Sequence, residues 1–370
     1  MGKTGHFFET GVAAESEAGE YAYPASLAVL PDCRLMAAFT WIKPIDGTTR
    51  TVCCGIYSND GGRTWTKTIP LFDEDSPFTV RPDEPQNFAD PNITVFGDRI
   101  YLSCVSLGNC PGKLDLSSSR IWYRTSQDGG RTWSDIMERC KHKKYISGMV
   151  HPGLILRNGA AVIGYAWDNS VESGALPQGE GEQDYHAGVF ITEDEGNTWR
   201  PFGDIHIHMK RKDGGNEQAI SGADEPAIVE LEDGTLYMLV RTGTEHLWET
   251  RSYDGGITWL DPQPSPLTSH NCPAALLKLR EGGVIAVYND HPIERARLCV
   301  RLSDNECLSW GNQKVFAPAE FNEEPEASYP AVSQTLDGTI VVVWCQKRRV
   351  DPKDRFKIHI ARFNRDWILS

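Results

Sequence analysis

Six short apolar runs of the chain open on proline. The residues directly before those prolines are Tyr23, Asp90, His151, Glu225, Cys272 and Tyr329. Leaving the thiol aside, five carry an ionisable group or a hydroxyl, where strand starts are more often apolar or small. Phenols, carboxyls and an imidazole gathered in one pocket would supply nucleophile, general acid and general base. Guanidinium groups stand near the same runs. Arg241 follows Glu225 by sixteen residues, Arg295 and Arg297 precede the segment LCVRLS, and Arg348 and Arg349 come just after the last run. Taken singly, each is also what a wet channel or a solvated strand end would carry. Converging on one mouth, they would grip a carboxylate or sulfate bidentately.

What could bring positions so far apart in sequence together is a repeat. The pattern S/T-x-D-x-G-x-T-W recurs as SNDGGRTW (58–65), SQDGGRTW (126–133), TEDEGNTW (192–199) and SYDGGITW (252–259), and in decayed form as SDNECLSW (303–310), with tryptophans 68, 66, 60 and 51 residues apart. Asp followed by Gly is turn chemistry: the carboxylate captures local amides and Gly takes positive φ. These boxes read as structural staples, not as sites of chemistry. The proline-led segments 23–41, 90–107, 151–167, 225–240, 272–288 and 329–344 each read as a β-hairpin around a Gly/Asp/Asn turn. Proline at a strand start removes no needed donor. A box follows each of the first five hairpins. A hairpin plus the two strands flanking a box makes four strands, and six such units predict an all-β, six-bladed β-propeller spanning residues 1–370 as one domain. The sixth unit lacks a box, so its outer strand is expected from a terminus, either 5–12 or the closing FKIHIARFNRDWIL. Segments 168–187 and 207–223 read as long loops in blades three and four. Innermost strands would line a central channel with the six pre-proline residues at one rim.

The 370 residues carry 37 Lys+Arg against 51 Asp+Glu, a net charge of -14. That balance disfavours nucleic acid and anionic membranes as partners. No apolar run reaches membrane-spanning length, and MGKTGHFFETG has no secretory core, so a cytoplasmic location is expected. The ten cysteines have no regular framework and are expected reduced. CxxC and HExxH are absent. His206 and His208 alternate on a strand-like run without a third ligand nearby in sequence, so neither a metal nor an organic cofactor is expected.

The boxes and proline-led hairpins together resemble the sialidase (neuraminidase) superfamily over nearly the whole chain. The resemblance implies a tyrosine nucleophile activated by a glutamate, an aspartate acid/base, and three arginines on the substrate carboxylate. Tyr329 in SYPAVSQTLDG resembles the nucleophile strand and Glu225 in DEPAIVELEDG its partner. Arg241 and Arg295 match the second and third arginines, and Asp90 in ADPNITVFGDRIYL lies near substrate. Asp46, in KPIDGTT, best matches the acid/base. The family opens blade one on aromatic-Arg-Ile-Pro; here Tyr21-Ala22-Tyr23-Pro24 puts Ala22 in place of the first arginine. His151, Tyr23 and Arg348 complete the expected substrate-binding set, with His151 and Tyr23 able to replace part of the lost recognition. The implied activity is retaining removal of a terminal, acidic sugar. Two other readings stand beside it. A uronate lyase would use His151 with Tyr329 or Tyr23. A non-catalytic carbohydrate-binding propeller would stack sugars on Trp248, since Trp41, Trp167 and Trp344 end hairpin strands and are expected in the core.

Overall fold

The computed structural model describes residues 5–17, 20–45, 48–72, 87–110, 113–140, 145–168, 184–207, 222–292, 295, 297–317, 326–347 and 357–370. Strand β1 (Phe8–Glu15) comes first. Blade one follows with β2 (Tyr21–Val29), β3 (Leu35–Ile45), β4 (Thr48–Ser58) and β5 (Ile69–Phe72), and blade two with β6 (Asn87–Phe96), β7 (Arg99–Cys110), β8 (Lys113–Ser126) and β9 (Met137–Cys140). Blade three has β10 (Tyr145–Ser147), β11 (Leu154–Ile155), β12 (Ala161–Asp168), β13 (Tyr185–Thr192) and β14 (Arg200–His206). Blade four has β15 (Asp224–Glu230), β16 (Leu236–Arg241), β17 (His246–Ser252) and β18 (Gln263–Thr268), and blade five β19 (Ala275–Lys278), β20 (Val284–Asn289), β21 (Leu298–Ser303) and β22 (Gly311–Ala317). Blade six is β23 (Glu326–Gln334), β24 (Ile340–Lys347) and β25 (Lys357–Phe363), closed on its outer edge by β1. Both termini therefore build the last blade, β25 third and β1 fourth, where the sequence pattern suggests one or the other.

The ring closes through the innermost strands. β2 touches β6 and β23, β11 touches β6 and β15, and β19 touches β15 and β23. One apolar cluster fills each interface between neighbouring blades, so the core is six wedges, not one centre. The expected core tryptophans agree, with Trp41 and Trp344 buried and Trp167 packed against the cluster between blades two and three.

Each box does the stapling its residues imply. In the first, Asp60 Oδ1 accepts from the backbone N–H of Arg63 and of Thr64, both at 2.9 Å, and Oδ2 accepts from the Thr64 hydroxyl at 2.7 Å. Ser58 Oγ donates to the same carboxylate and accepts the Gly62 N–H, each at 2.8 Å. The box tryptophans pack into the wedge toward the preceding blade: Trp65 toward blade six, Trp133 toward one, Trp199 toward two, Trp259 toward three and Trp310 toward four. The boxes are thus inter-blade ties as well as turns. In the decayed copy Asn305 replaces the aspartate and Cys307, at φ 58°, occupies the glycine position. Cys33, Cys53, Cys54, Cys104, Cys272, Cys299, Cys307 and Cys345 are unbridged. Among the described residues no helix is long and apolar enough to cross a membrane.

Candidate functional site

The pre-proline positions are irregular for a shared structural reason. In blade two the β6–β7 register passes from Ala89↔Val105 to Asn92↔Ser103, so three steps on the inner strand face two on its partner. The same one-residue bulge occurs at Asp224/Ala227, Ser328/Ala331 and Ala22/Ala25. It spans the X-Pro dipeptide each time. A bulge leaves a residue out of the ladder, where proline's missing N–H costs nothing, and it re-aims the side chain. Proline steers its predecessor out of the right-handed helical region. Asp90, Glu225 and Tyr329 instead take left-handed φ of 53°, 42° and 55°. Such conformations cost roughly 1–3 kcal/mol each and concentrate at functional sites.

The repeat is imperfect in two blades, which corrects the simple equivalence of all pre-proline residues. In blade three the inner strand breaks between Ser147↔Ala166 and Leu154↔Val162, and the left-handed residue is Gly148 (φ 74°). His151 falls in that break. It lines a cavity of about 330 Å³ within the channel, with Ile93, Ala227 and Val332, and its described contacts do not join it to the Tyr329 group. Burial lowers its imidazole to about 4. In blade five the left-handed residue is Asn271 (φ 43°), one position before Cys272. Cys272 is buried, and burial pushes its thiol up to about 11 against the pull of Arg295.

Blades four, five and six converge on Arg241, the last residue of β16. Its Nη1 donates to Glu225 Oε2 at 2.6 Å and to Tyr329 Oη at 3.4 Å, and its Nε donates to Asn271 Oδ1 at 2.8 Å. Asp224 Oδ2 lies 3.8 Å from the same Nη1. Burial alone would depress the guanidinium; Glu225, Tyr329 and Asp224 reverse this and raise it well above its ordinary value. Arg295 Nη2 donates to the Asn271 carbonyl at 2.5 Å, and its guanidinium lies 5.4 Å from the Tyr329 ring centroid. Asn271 therefore holds two arginines by two different oxygens.

Two glycines let blade three abut Glu225. A Cβ on Gly148 would stand 3.0 Å from the Glu225 nitrogen, and one on Gly164 2.8 Å from the Pro226 carbonyl. On the other flank, Asp90 donates its freed N–H to Thr40 Oγ1 of blade one at 2.9 Å. Its carboxyl is raised from 3.8 to about 7, first by burial and then by the charges of Glu225 and Asp224. Trp248 packs in the wedge between blades three and four and donates to Thr244 Oγ1 at 3.2 Å, so it fills a packing position.

Of the expected site, Tyr329, Glu225, Arg241 and Arg295 meet in one cluster, and Asp90 is electrostatically coupled to it. Asp46 and Arg348 lie outside the described residues, and of Tyr23 only the backbone, in the blade-one bulge, is described. Ala22, at the first-arginine position, is buried and pairs with Trp41. Asp224, Thr40 and Gly148 escape a sequence reading because their roles exist only across strands and blades. At the outer edge of blade three, Asp184, His186 and His206 form a group with metal-ligating spacing, where the sequence pattern pairs His206 with His208, which lies outside the described residues, and offers no third ligand.

A six-bladed propeller with bulged inner strands thus brings a phenol, a carboxylate and two guanidiniums together from blades four, five and six. The chain belongs to the BNR repeat-like domain family, whose model matches residues 97–342, and a BNR/Asp-box repeat matches residues 56–67. No curated protein matches the sequence. Among solved structures it is similar to the Ruminococcus gnavus intramolecular trans-sialidase in complex with oseltamivir carboxylate, at 14% identity and TM-score 0.70, over 94% of this chain and 95% of that one. It is similar to a Dyadobacter fermentans protein of unknown function at 16% identity and TM-score 0.72, over 98% and 99%. The leech intramolecular trans-sialidase complexed with 2,7-anhydro-Neu5Ac gives 13% and 0.69, over 95% and 69%. At these identities the likeness is one of fold.

Proposed function

We propose that this protein is a sialidase-like exo-glycoside hydrolase that removes a terminal acidic sugar with retention. The observation that carries the reading is Arg241, whose single Nη1 meets both Glu225 and Tyr329. Sialidases are the tyrosine-nucleophile exception among glycosidases. A substrate carboxylate at the anomeric carbon repels a carboxylate nucleophile, and a neutral phenol avoids this. In the proposed first step Glu225 takes the phenol proton as Tyr329 Oη attacks the anomeric carbon and the glycosidic bond breaks. A carboxylic acid protonates the departing oxygen. Water, losing a proton to the carboxylate left by that acid, then releases the sugar from Tyr329, and Glu225 returns its proton to the phenol.

Arg241 and Arg295 would hold the substrate anion, two guanidiniums in place of three, with Ala22 where the resemblance expects the other. The resemblance assigns the acid to Asp46. Among the described residues, Asp90 is the carboxyl held near 7 and so retains a proton close to neutral pH. The kinship in fold with sialidase structures, one of them holding oseltamivir carboxylate, supports an acidic sugar as substrate.

A panel of sialyl, 2-keto-deoxy and uronyl chromogenic glycosides tests the reading. Turnover of one member is expected, with the initial product anomer retained by NMR. Tyr329→Phe and Glu225→Gln should lower kcat by ~10²–10⁴ with folding intact. Asp46→Asn and Asp90→Asn, compared on substrates with good and poor leaving groups, identify the acid. An ultraviolet-absorbing unsaturated product would replace the hydrolase reading by elimination, and no turnover on any member would leave a binder.

A further inference from the structure

On the outer half of blade three, β13 and β14 run antiparallel with His186 directly opposite His206. Their imidazoles stack with centroids 4.2 Å apart and planes 9° apart, and Trp167 stacks on His186 at 5.3 Å. Asp184, two residues before His186, points the same way along the extended chain. Its Oδ1 lies 2.7 Å from His206 Nε2 and 3.4 Å from His186 Nε2. One ligand atom from each of the three side chains lies within 4.8 Å of the others. On its far side, His186 Nδ1 meets Asp204 Oδ1 at 2.5 Å. That pairing places the ring proton on Nδ1 and leaves the Nε2 lone pair facing the group. Nε2 is buried and makes no hydrogen bond among the described residues.

We propose that Asp184, His186 and His206 bind a divalent transition-metal ion of the Zn²⁺ type, with a remaining position open to water. Two imidazoles and one carboxylate are the donors such ions select, whereas Ca²⁺ and Mg²⁺ favour all-oxygen sets. Asp204 is the outer carboxylate that orients a metal-bound histidine. A plain hydrogen-bond network would leave the His186 Nε2 lone pair unused; a metal uses it. The parallel rings need only splay about χ2 for their lone pairs to converge. The ion would pin the β13–β14 register next to the candidate active site. The Tyr185 carbonyl, between two ligands, accepts the Ala223 N–H at 3.1 Å, and Asp224 and Glu225 follow directly.

The test is calorimetric titration of Zn²⁺ into the untagged, metal-stripped full chain, with Co²⁺ absorption reporting the ligand field. One ion per chain is expected, with visible Co²⁺ bands of low coordination number and a Tm rise of about 3–4 °C at a Zn²⁺ concentration ~100 times Kd. His206→Ala and Asp184→Asn should each weaken binding by ~100-fold or more, and Asp204→Asn, which leaves all three ligands, by ~10–100-fold. Should His206→Ala fail to fold, Asp184→Asn, at a more exposed position, still decides. Absence of binding at micromolar Zn²⁺, or equal affinity in wild type and Asp184→Asn, overturns the proposal. No substrate enters these readouts, so they stand or fall apart from the hydrolase reading.

Discussion

Replacing Asp90 with Asn should stabilise the protein by an amount that grows as pH rises from about 4 and is complete above about 7. Asp90 is half-buried beside Glu225 and Asp224, and its carboxyl is raised from 3.8 to about 7. A raised carboxyl in the fold means that the unfolded chain ionises first as pH climbs. Stability from the protonated form is complete below about pH 4, drains between about 4 and 7, and is gone above 7. At 1.36 kcal/mol per unit, the shift from 3.8 to about 7 amounts to at most about 4 kcal/mol. Asn cannot ionise, so Asp90→Asn escapes that loss. With an unfolding entropy of ~2.1 cal/mol/K per residue, its advantage at pH 8 reaches ~5 °C in Tm and shrinks toward pH 4. Thermal unfolding of both proteins by circular dichroism at half-unit steps from pH 4 to 8 gives the difference curve. The box aspartates titrate outside this window: Asp60 and Asp194 are held at about 2 by the amides and hydroxyls of their own turns. A pH-independent difference, or an Asn variant less stable at pH 8, would refute the claim that burial and like charge hold Asp90 protonated.

Three further outcomes follow from the same geometry. Arg241→Ala leaves Glu225 and Asp224 buried without their cation; a loss of ~3–5 kcal/mol, or ~4–6 °C in Tm, is expected by calorimetry, and Arg241→Lys should restore stability better than turnover. Gly148→Ala combines a left-handed φ of 74° with a Cβ 3.0 Å from the Glu225 nitrogen. It should cost ~1–2 kcal/mol in denaturant melts and lower kcat, though Gly148 bears no chemical group. Ala22→Arg restores the arginine of the resemblance at a buried position opposite Trp41; destabilisation by ~1–3 kcal/mol, without gain in kcat/KM on sialosides, is expected in parallel melts and assays.

Blade count, and the strand positions that bring Tyr329 and Glu225 to Arg241, were legible because their signals are local. An Asp-box staples its own eight residues, and an X-Pro step marks a bulge that one strand makes with its hairpin partner. Such features repeat in sequence wherever they repeat in space. The reading failed where two blades, three and five, depart from the rule. His151 keeps the X-Pro pattern, yet the break in blade three hands the left-handed position to Gly148. Cys272 keeps it too, yet Asn271 has the conformation and the contacts. The closing blade takes β25 from one end and β1 from the other, a pairing between strands more than 340 positions apart in the chain that no local signal encodes.

The amino-acid sequence by itself determined the propeller, since turn chemistry and strand patterning act over a few residues and recur six times. It also determined which blades bring phenol, carboxylate and guanidinium to the rim. Only the tertiary structure decided that Arg241 joins Glu225, Tyr329 and Asn271, that Asp90 sits under the charge of Glu225, and that Asp184 completes a group with His186 and His206. Those are contacts between strands and blades far apart in the chain. Their energies depend on distance and burial, which no spacing along the sequence encodes.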